Sequence, residues 1–443
     1  MQRRTRAVAL AAAAMLAGAG VTACGGGSSS ASGDKTITYW ATNQSTSLDA
    51  DKKILQPEID KFTQQTGVKV KLEVIPSADL LNRILAATTS GKGPDVLNIG
   101  NTWSASLQAT GAFVAWDNEL MAKVGGESRF LPAALKSTGA TGKDPASLPL
   151  YTSSYELFYN KKLFKAANIT SPPKTWSEFV ADGHKLTKDT NNDGKTDQWG
   201  LGLQGASSSF AAHFAFILGT QHGAKVFSGH TPKFDDTGMV DGIDQWLSWI
   251  GKDGIVNPSD AEMTDKVALL QNFASGKAGM ILAQSSTGKT LGQYKLTTAD
   301  YGVVPVPAQD PAVAGGKDIG SFVGGINVAI FKNTGNLDGS TQFVKFLTSA
   351  KEQVYLNKTY GTLPSVTDAK DPAFDTPTLA VARETLSSRA VPLPQIAEES
   401  QFETLVGQAM SSFAAQTATG KQPGKAKIKS EMTAADQKLE AGS

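Results

Sequence analysis

Residues 68–76 read VKVKLEVIP, and their alternation decides the fold class. Val68, Val70, Leu72 and Val74 fall on one side while Lys69, Lys71 and Glu73 fall on the other, the period-two pattern of a strand with one covered face. Pro76 ends the strand because its nitrogen has no hydrogen to give to a ladder. Upstream, Leu55, Ile59 and Phe62 recur at helical spacing, and Gly67 supplies a stop. Before them, residues 35–40 (KTITYW) are β-branched and aromatic, a first strand. Downstream, Leu80, Leu81, Ile84 and Leu85 form another helical face closed by Gly91, and Gly93-Pro94 turns the chain into a third strand at 95–99 (DVLNI). Strand, helix, strand, helix, strand makes a right-handed α/β unit, whose ligands collect beyond the carboxyl ends of the strands. Those ends are 41–45 and 100–104.

Further on, residues 148–160 (LPLYTSSYELFYN) read as an extended crossing segment. A longer α/β region follows, with a helix over 240–250 and a strand over 279–283. A second extended stretch, 318–331 (DIGSFVGGINVAIF), is rich in glycine. A helix over 341–356 comes next, then a loop with Gly361 and Pro364. The last stretch, 420–443, is rich in Lys, Ala and Gln and predicts an exposed final helix. No internal repeat is present. Two extended passages joining two α/β regions read as hinges.

The amino terminus carries Arg3, Arg4 and Arg6, then an apolar run from Ala7 to Ala19, then Val21-Thr22-Ala23-Cys24. A charged head, a short apolar core and small residues before a processing point make an export signal. Cys24 is the single cysteine, so it is no half of an internal disulfide. The pattern resembles the lipobox of bacterial lipoproteins, which implies a lipoprotein signal peptide over 1–23, cleavage before Cys24 and lipid on its thiol. An ordinary signal peptide with an incidental cysteine is the alternative. Arg3-Arg4 alone is a weak twin-arginine signal and leaves the export route open. Residues 24–33 are a glycine- and serine-rich tether. With 42 Lys plus Arg against 41 Asp plus Glu, the net charge of +1 carries no basic stripe for nucleic acid. The folded part exceeds what one hydrophobic core usually holds, which predicts two lobes.

The order of landmarks along the chain carries a resemblance. Gly93-Pro94-Asp95-Val96 is followed by Trp103 and by Thr110-Gly111-Ala112-Phe113; then come 155–164 (YELFYNKKLF), 174–179 (KTWSEF), 273–280 (FASGKAGM), 302–307 (GVVPVP) and Gly324-Gly325-Ile326-Asn327. From residue 34 to about 440 this series resembles the family 1 extracellular solute-binding proteins, the group that includes the maltose-binding proteins of ABC importers. The resemblance implies an α/β fold of two lobes (the type II periplasmic-binding-protein arrangement), with a hinge and a ligand cleft between the lobes. It implies a first lobe of 34–152 plus 322–365 and a second of 153–321 plus 366–443. It further implies a carbohydrate ligand, an ABC permease as partner, a monomer anchored by lipid at the outer face of the cytoplasmic membrane, and no catalysis.

A sugar offers hydroxyls and flat C–H faces, so its cleft needs amides, hydroxyls and a ring. Asn43 and Gln44 leave the first strand, and Asn101 and Trp103 leave the third. Tyr155 and Gly325 lie in the hinge passages, Ser286 follows a second-lobe strand, and Phe402 opens a late helix. Each has a structural alternative: Trp103 and Phe402 as core rings, Asn43 and Gln44 as turn residues. Maltose binders typically carry tryptophan where Ser286 stands, which argues against a long malto-oligosaccharide.

Residues 283–290 (AQSSTGKT) imitate a phosphate loop, but Ala283 stands where the first glycine belongs and no magnesium-binding aspartate follows. Ser286 and Lys289 have the S-x-x-K spacing of acylating serine enzymes without its companion elements. Asp189, Asn191, Asp193, Lys195 and Asp197, with Gly194 sixth, follow the start of a calcium loop, though position twelve is Gly200. A structural calcium and a polar turn are both open there. His184, His213, His222 and His230 lack metal-binding spacing and read as surface or loop residues. Two other functions remain. A secreted carbohydrate-active enzyme would need two carboxylates facing one cleft, and the cleft loops show no such pair. A binder of another solute, such as a phosphodiester or polyamine, would want arginine or acidic clusters that those loops also lack.

Overall fold

The computed structural model describes residues 36–442 except Thr46 and Asp265. The signal segment, Cys24 and the tether lie outside the described residues. Strands β1 (Thr36–Thr42), β2 (Lys69–Ile75) and β3 (Val96–Gly100) alternate with the helices Leu48–Thr66 and Ser77–Ser90. β1 pairs parallel with β2, from Thr36 opposite Lys69 to Thr42 opposite Ile75, and parallel with β3 on its other side. The first helix starts a full turn and more before Leu55. Ser47 caps it, its hydroxyl accepting from the Ala50 N–H at 3.1 Å, and Asp49 and Asp51 suit the positive end of the helix. That opening is polar, so apolar periodicity does not reveal it.

The crossing segment consists of β4 (Leu148–Ser153) and β5 (Tyr155–Asn160), separated by Ser154 alone. The two strands nonetheless belong to different sheets. After them come β6 (Trp199–Gly202), a small hairpin of β7 (Phe227–Ser228) and β8 (Thr231–Pro232), β9 (Ala278–Gln284) and β10 (Tyr301–Pro305). The return passage holds β11 (Ser321–Phe322) and β12 (Gly324–Ile330), and the short strands β13 (Leu363–Pro364) and β14 (Ala390–Val391) complete the set. The larger sheet runs β13-β4-β12-β3-β1-β2 and the smaller β10-β5-β9-β6. β11 pairs with β14 in a ribbon of its own. Thus the chain leaves the larger sheet at Ser154 and re-enters it at Gly324.

Each sheet carries its own core. Around the larger one, Tyr39 and Phe62 both pack on Phe343, at ring separations of 5.1 and 5.0 Å. Around the smaller one, Trp176 lies 5.0 Å from Trp249 and edge-on to Phe179. Three helices, Ser208–Gln221, Thr237–Ile250 and Glu399–Ala418, close this second core. They approach tightly because glycines stand at the crossings. A Cβ on Gly242 would lie 2.5 Å from the Gly219 nitrogen.

Two expectations need correction. The helix expected over 341–356 is two helices, Leu337–Leu347 and Ala350–Tyr360, because Ser349 caps a fresh start by accepting from the Glu352 N–H. The final helix, Lys425–Ala441, is amphipathic rather than simply exposed. Ile428, Met432 and Leu439 are buried, and the Asp436 carboxylate accepts from the Phe234 N–H at 2.9 Å.

Candidate functional site

The carboxyl end of β3 faces elements of the second α/β region. Past β3 the chain enters a short turn, Asn101–Trp103, and the helix Ser104–Ala109. The Trp103 indole N–H donates to Oε2 of Glu403 at 2.9 Å. Glu403 projects from the helix Glu399–Ala418, and its Oε1 lies 3.0 Å from Nε2 of His213 on the helix Ser208–Gln221. The other ring nitrogen of His213 lies 3.1 Å from the Tyr155 hydroxyl, at the start of β5. Phe322 lies against the imidazole at 4.3 Å between centroids. One chain of contacts, Trp103–Glu403–His213–Tyr155, therefore runs from one half of the molecule into the other. Beside it the Ser400 N–H donates to the Ser106 hydroxyl at 3.2 Å, and Nδ2 of Asn101 donates to the Val323 carbonyl at 2.6 Å.

The site is rich in carboxylate. Glu399 stands one turn before Glu403, on the same face of the helix. It is 0% exposed, and neither of its oxygens has a hydrogen-bond partner. Burial pushes the Glu399 carboxyl well above the usual range, and the Glu403 charge adds to the effect. Glu403 is also buried, which alone would raise it. The hydrogen bond and charge of His213, with hydrogen bonds from Trp103 and Thr102, outweigh burial and hold it below the ordinary value. Tyr155 is raised by burial first and by the Glu403 charge second. The two carboxylates thus sit in contrasting environments, one supplied with donors and one without.

Not all residues expected from the sequence join this group. Trp103, Tyr155 and Asn101 do, with Asn101 engaged by the hinge passage. Asn43 is held in the turn after β1, donating to Oδ2 of buried Asp51 at 2.5 Å, and the Gln44 and Ser45 N–H groups donate to the same oxygen. The exposed Gln44 side chain donates back to the Asn43 carbonyl. Phe402 turns away from Glu403: it is 0% exposed and packs on Phe234 at 5.5 Å, so it offers no ring face to a solute. Gly325 serves the backbone, since a Cβ there would lie 2.2 Å from the Tyr151 carbonyl. Ser286 follows Ser285 at a different place, beside a cavity of about 770 Å3 lined by Lys289, Lys351, Lys358, Thr376 and Thr378.

His213 departs from the surface or loop position expected of it, because it sits mid-helix with 12% exposure and contacts on both nitrogens. The acidic pair is likewise absent from the sequence reading, which sought paired carboxylates in the cleft loops alone. The spacing Glu399-x-x-x-Glu403 was the available signal. In the loop 189–197, Asp189 accepts from the Asn191, Asp193 and Gly194 N–H groups, and Asp197 from Thr190. These bonds close the turn through its own backbone. Among the described residues no three His, Cys, Asp or Glu side chains gather to hold a metal ion.

Two α/β halves that meet across a polar contact at the ends of their strands define a two-lobe binding protein. The profile of bacterial extracellular solute-binding proteins matches residues 45–354, and the chain belongs to that family. Among curated relatives, the sn-glycerol-3-phosphate-binding periplasmic protein UgpB of Brucella melitensis is 26% identical over 355 residues, 74% of this chain and 79% of its own. Among solved structures, the GacH receptor of Streptomyces glaucescens, studied unliganded and with acarbose, superposes with a TM-score of 0.74 at 22% identity, covering 91% of this chain and 98% of its own. MalE of Bdellovibrio bacteriovorus bound to maltotriose gives 0.72 at 22% identity, covering 91% and 100%. A solute-binding protein of Agrobacterium radiobacter with ribitol gives 0.73 at 21% identity, covering 92% and 98%. Among the described residues no helix is long and apolar enough to cross a membrane.

Proposed function

We propose that this chain is the solute-capturing subunit of an ABC importer, that its solute is a carbohydrate, and that a lipid on Cys24 tethers it outside the cytoplasmic membrane. The observation that carries the reading is the Trp103–Glu403–His213 contact, where a ring and hydrogen-bonding groups from both lobes converge. A ring covers a sugar's C–H face while carboxylate and imidazole take its hydroxyls, a division of labour that suits polyols. The lobes, taken as 34–152 with 322–365 and 153–321 with 366–443, would swing about the two crossing passages and close on the solute. The closed form is what the permease would receive. Solved neighbours bound to acarbose, maltotriose and ribitol support a polyhydroxylated ligand.

UgpB raises a phosphate-ester reading, but a phosphate entering here would face Glu399 and Glu403, and among the described residues no arginine or lysine pairs with either. An enzyme reading is also disfavoured. Both carboxylates spring from one helix face, whereas glycoside hydrolysis needs carboxylates on the two sides of the scissile bond. Isothermal titration against mono- and oligosaccharides tests the proposal: a sugar binds without turnover, and Trp103→Ala weakens it about tenfold or more. Product formation, or saturation by sn-glycerol 3-phosphate alone, would overturn it.

A further inference from the structure

The Glu399 carboxylate carries the inference. It is 0% exposed and neither oxygen has a partner, although buried charged or polar groups are nearly always satisfied. Its neighbour Glu403 is no donor, because its own oxygens are taken by Trp103 and His213. Among the described residues no lysine or arginine pairs with either carboxylate, and His213 is the single basic side chain in the cluster. Glu399 stands beside the junction of the lobes. The Ser400 N–H, next to Glu399, donates to Ser106 across that junction. A buried carboxyl without a partner escapes the cost of its charge by keeping a proton, and a bound cation would let it ionise instead.

We infer that the solute carries an ammonium group, seated against Glu399 with Glu403 beside it, so that the site takes amino sugars in preference to their neutral or phosphorylated counterparts. The inference rests on the carbohydrate reading above and narrows it. An ammonium on a sugar ring supplies the donors that both Glu399 oxygens need, and the Trp103 ring, held by Glu403, adds cation–π attraction. Closure then depends on the charge of the guest. A neutral sugar gives Glu399 no charge partner, and a phosphate adds repulsion with Glu403.

The test is calorimetric titration of the full-length exported chain with matched solutes: glucose, glucosamine and glucose 6-phosphate, the same comparison at disaccharide length, and spermidine. The expected result is tighter binding of the amino sugar than of its neutral twin by about tenfold or more, with no heat from the phosphate. Glu399→Gln should remove that preference while thermal unfolding shows an intact fold. Equal or tighter binding of the neutral sugar overturns the amine assignment and leaves the carbohydrate reading standing. Spermidine binding without any sugar binding overturns the carbohydrate reading and upholds the cation. Retention of the full preference in Glu399→Gln overturns the seat assigned to the ammonium.

Discussion

At the scale of single residues, a shift of one position separates two roles. Phe402 and Glu403 are adjacent, but successive side chains on a helix point about 100° apart. The ring enters the core and the carboxylate enters the junction between the lobes. The sequence announced an aromatic near the start of this helix without saying which way it faced, and Phe402 was the conspicuous choice. The places of Trp103 and Tyr155 at the junction were legible, the first from the carboxyl end of β3 and the second from the crossing passage. Glu399, Glu403 and His213 were not, since they come from helices whose orientation depends on packing across the whole second core. Buried acids also set the response to pH. Burial pushes Asp260 up to about 6, against a hydrogen bond from the Leu203 N–H that lowers it, and Asp436 also reaches about 6. The folded state keeps these protons after the unfolded chain has released them. Their stabilising contribution is therefore complete below about pH 4 and is lost as pH rises through about 6. For Asp260, which is 3% exposed, the loss is about 3 kcal/mol. Asp260→Asn should flatten the denaturation midpoint between pH 4 and 6 relative to the parent. An unchanged slope would assign the pH dependence elsewhere.

At the scale of elements, close helix packing fixes the site. Gly407 lies on the same helix as Glu403, and a Cβ there would fall 2.2 Å from the Ser208 carbonyl, at the start of the helix bearing His213. Gly407→Ala should force the two helices apart, lowering stability by about 1–3 kcal/mol. It should also weaken solute binding, because the 3.0 Å approach of His213 to Glu403 spans the same pair of helices. Unfolding midpoints and titration together check this, and a loss of stability with unaltered affinity would show that the two contacts are independent. The elements themselves were largely readable. Alternation gave β2, and proline and glycine punctuation bounded its neighbours. The break at Ser349 escaped because apolar spacing continues through it, while only the hydroxyl cap marks the new start. The final helix was misjudged because Ile428, Met432 and Leu439 are sparse among lysines, yet they lie on one buried face.

At the scale of the whole molecule, the two crossings limit how the lobes move. β4 and β5 are joined through Ser154 alone, and β11 and β12 are separated by Val323, whose carbonyl is held by Asn101. Such short links permit rotation about a common axis far more readily than separation. X-ray scattering should show a smaller radius of gyration on saturation with solute, and an unchanged curve at saturating concentration would remove hinge closure from the account. The glycine-rich character of the second crossing was plain from sequence. Its partner ribbon, β11 with β14, was not, because two-residue strands carry no period. The larger sheet has a consequence for biosynthesis. β12 is inserted between β3 and β4, both of which emerge from the ribosome long before it. A nascent chain stopped before residue 324 lacks the strand that zips those two together, so the amino-terminal half cannot finish folding early. The larger sheet of such a polypeptide therefore stays unzipped until nearly three-quarters of it has been made.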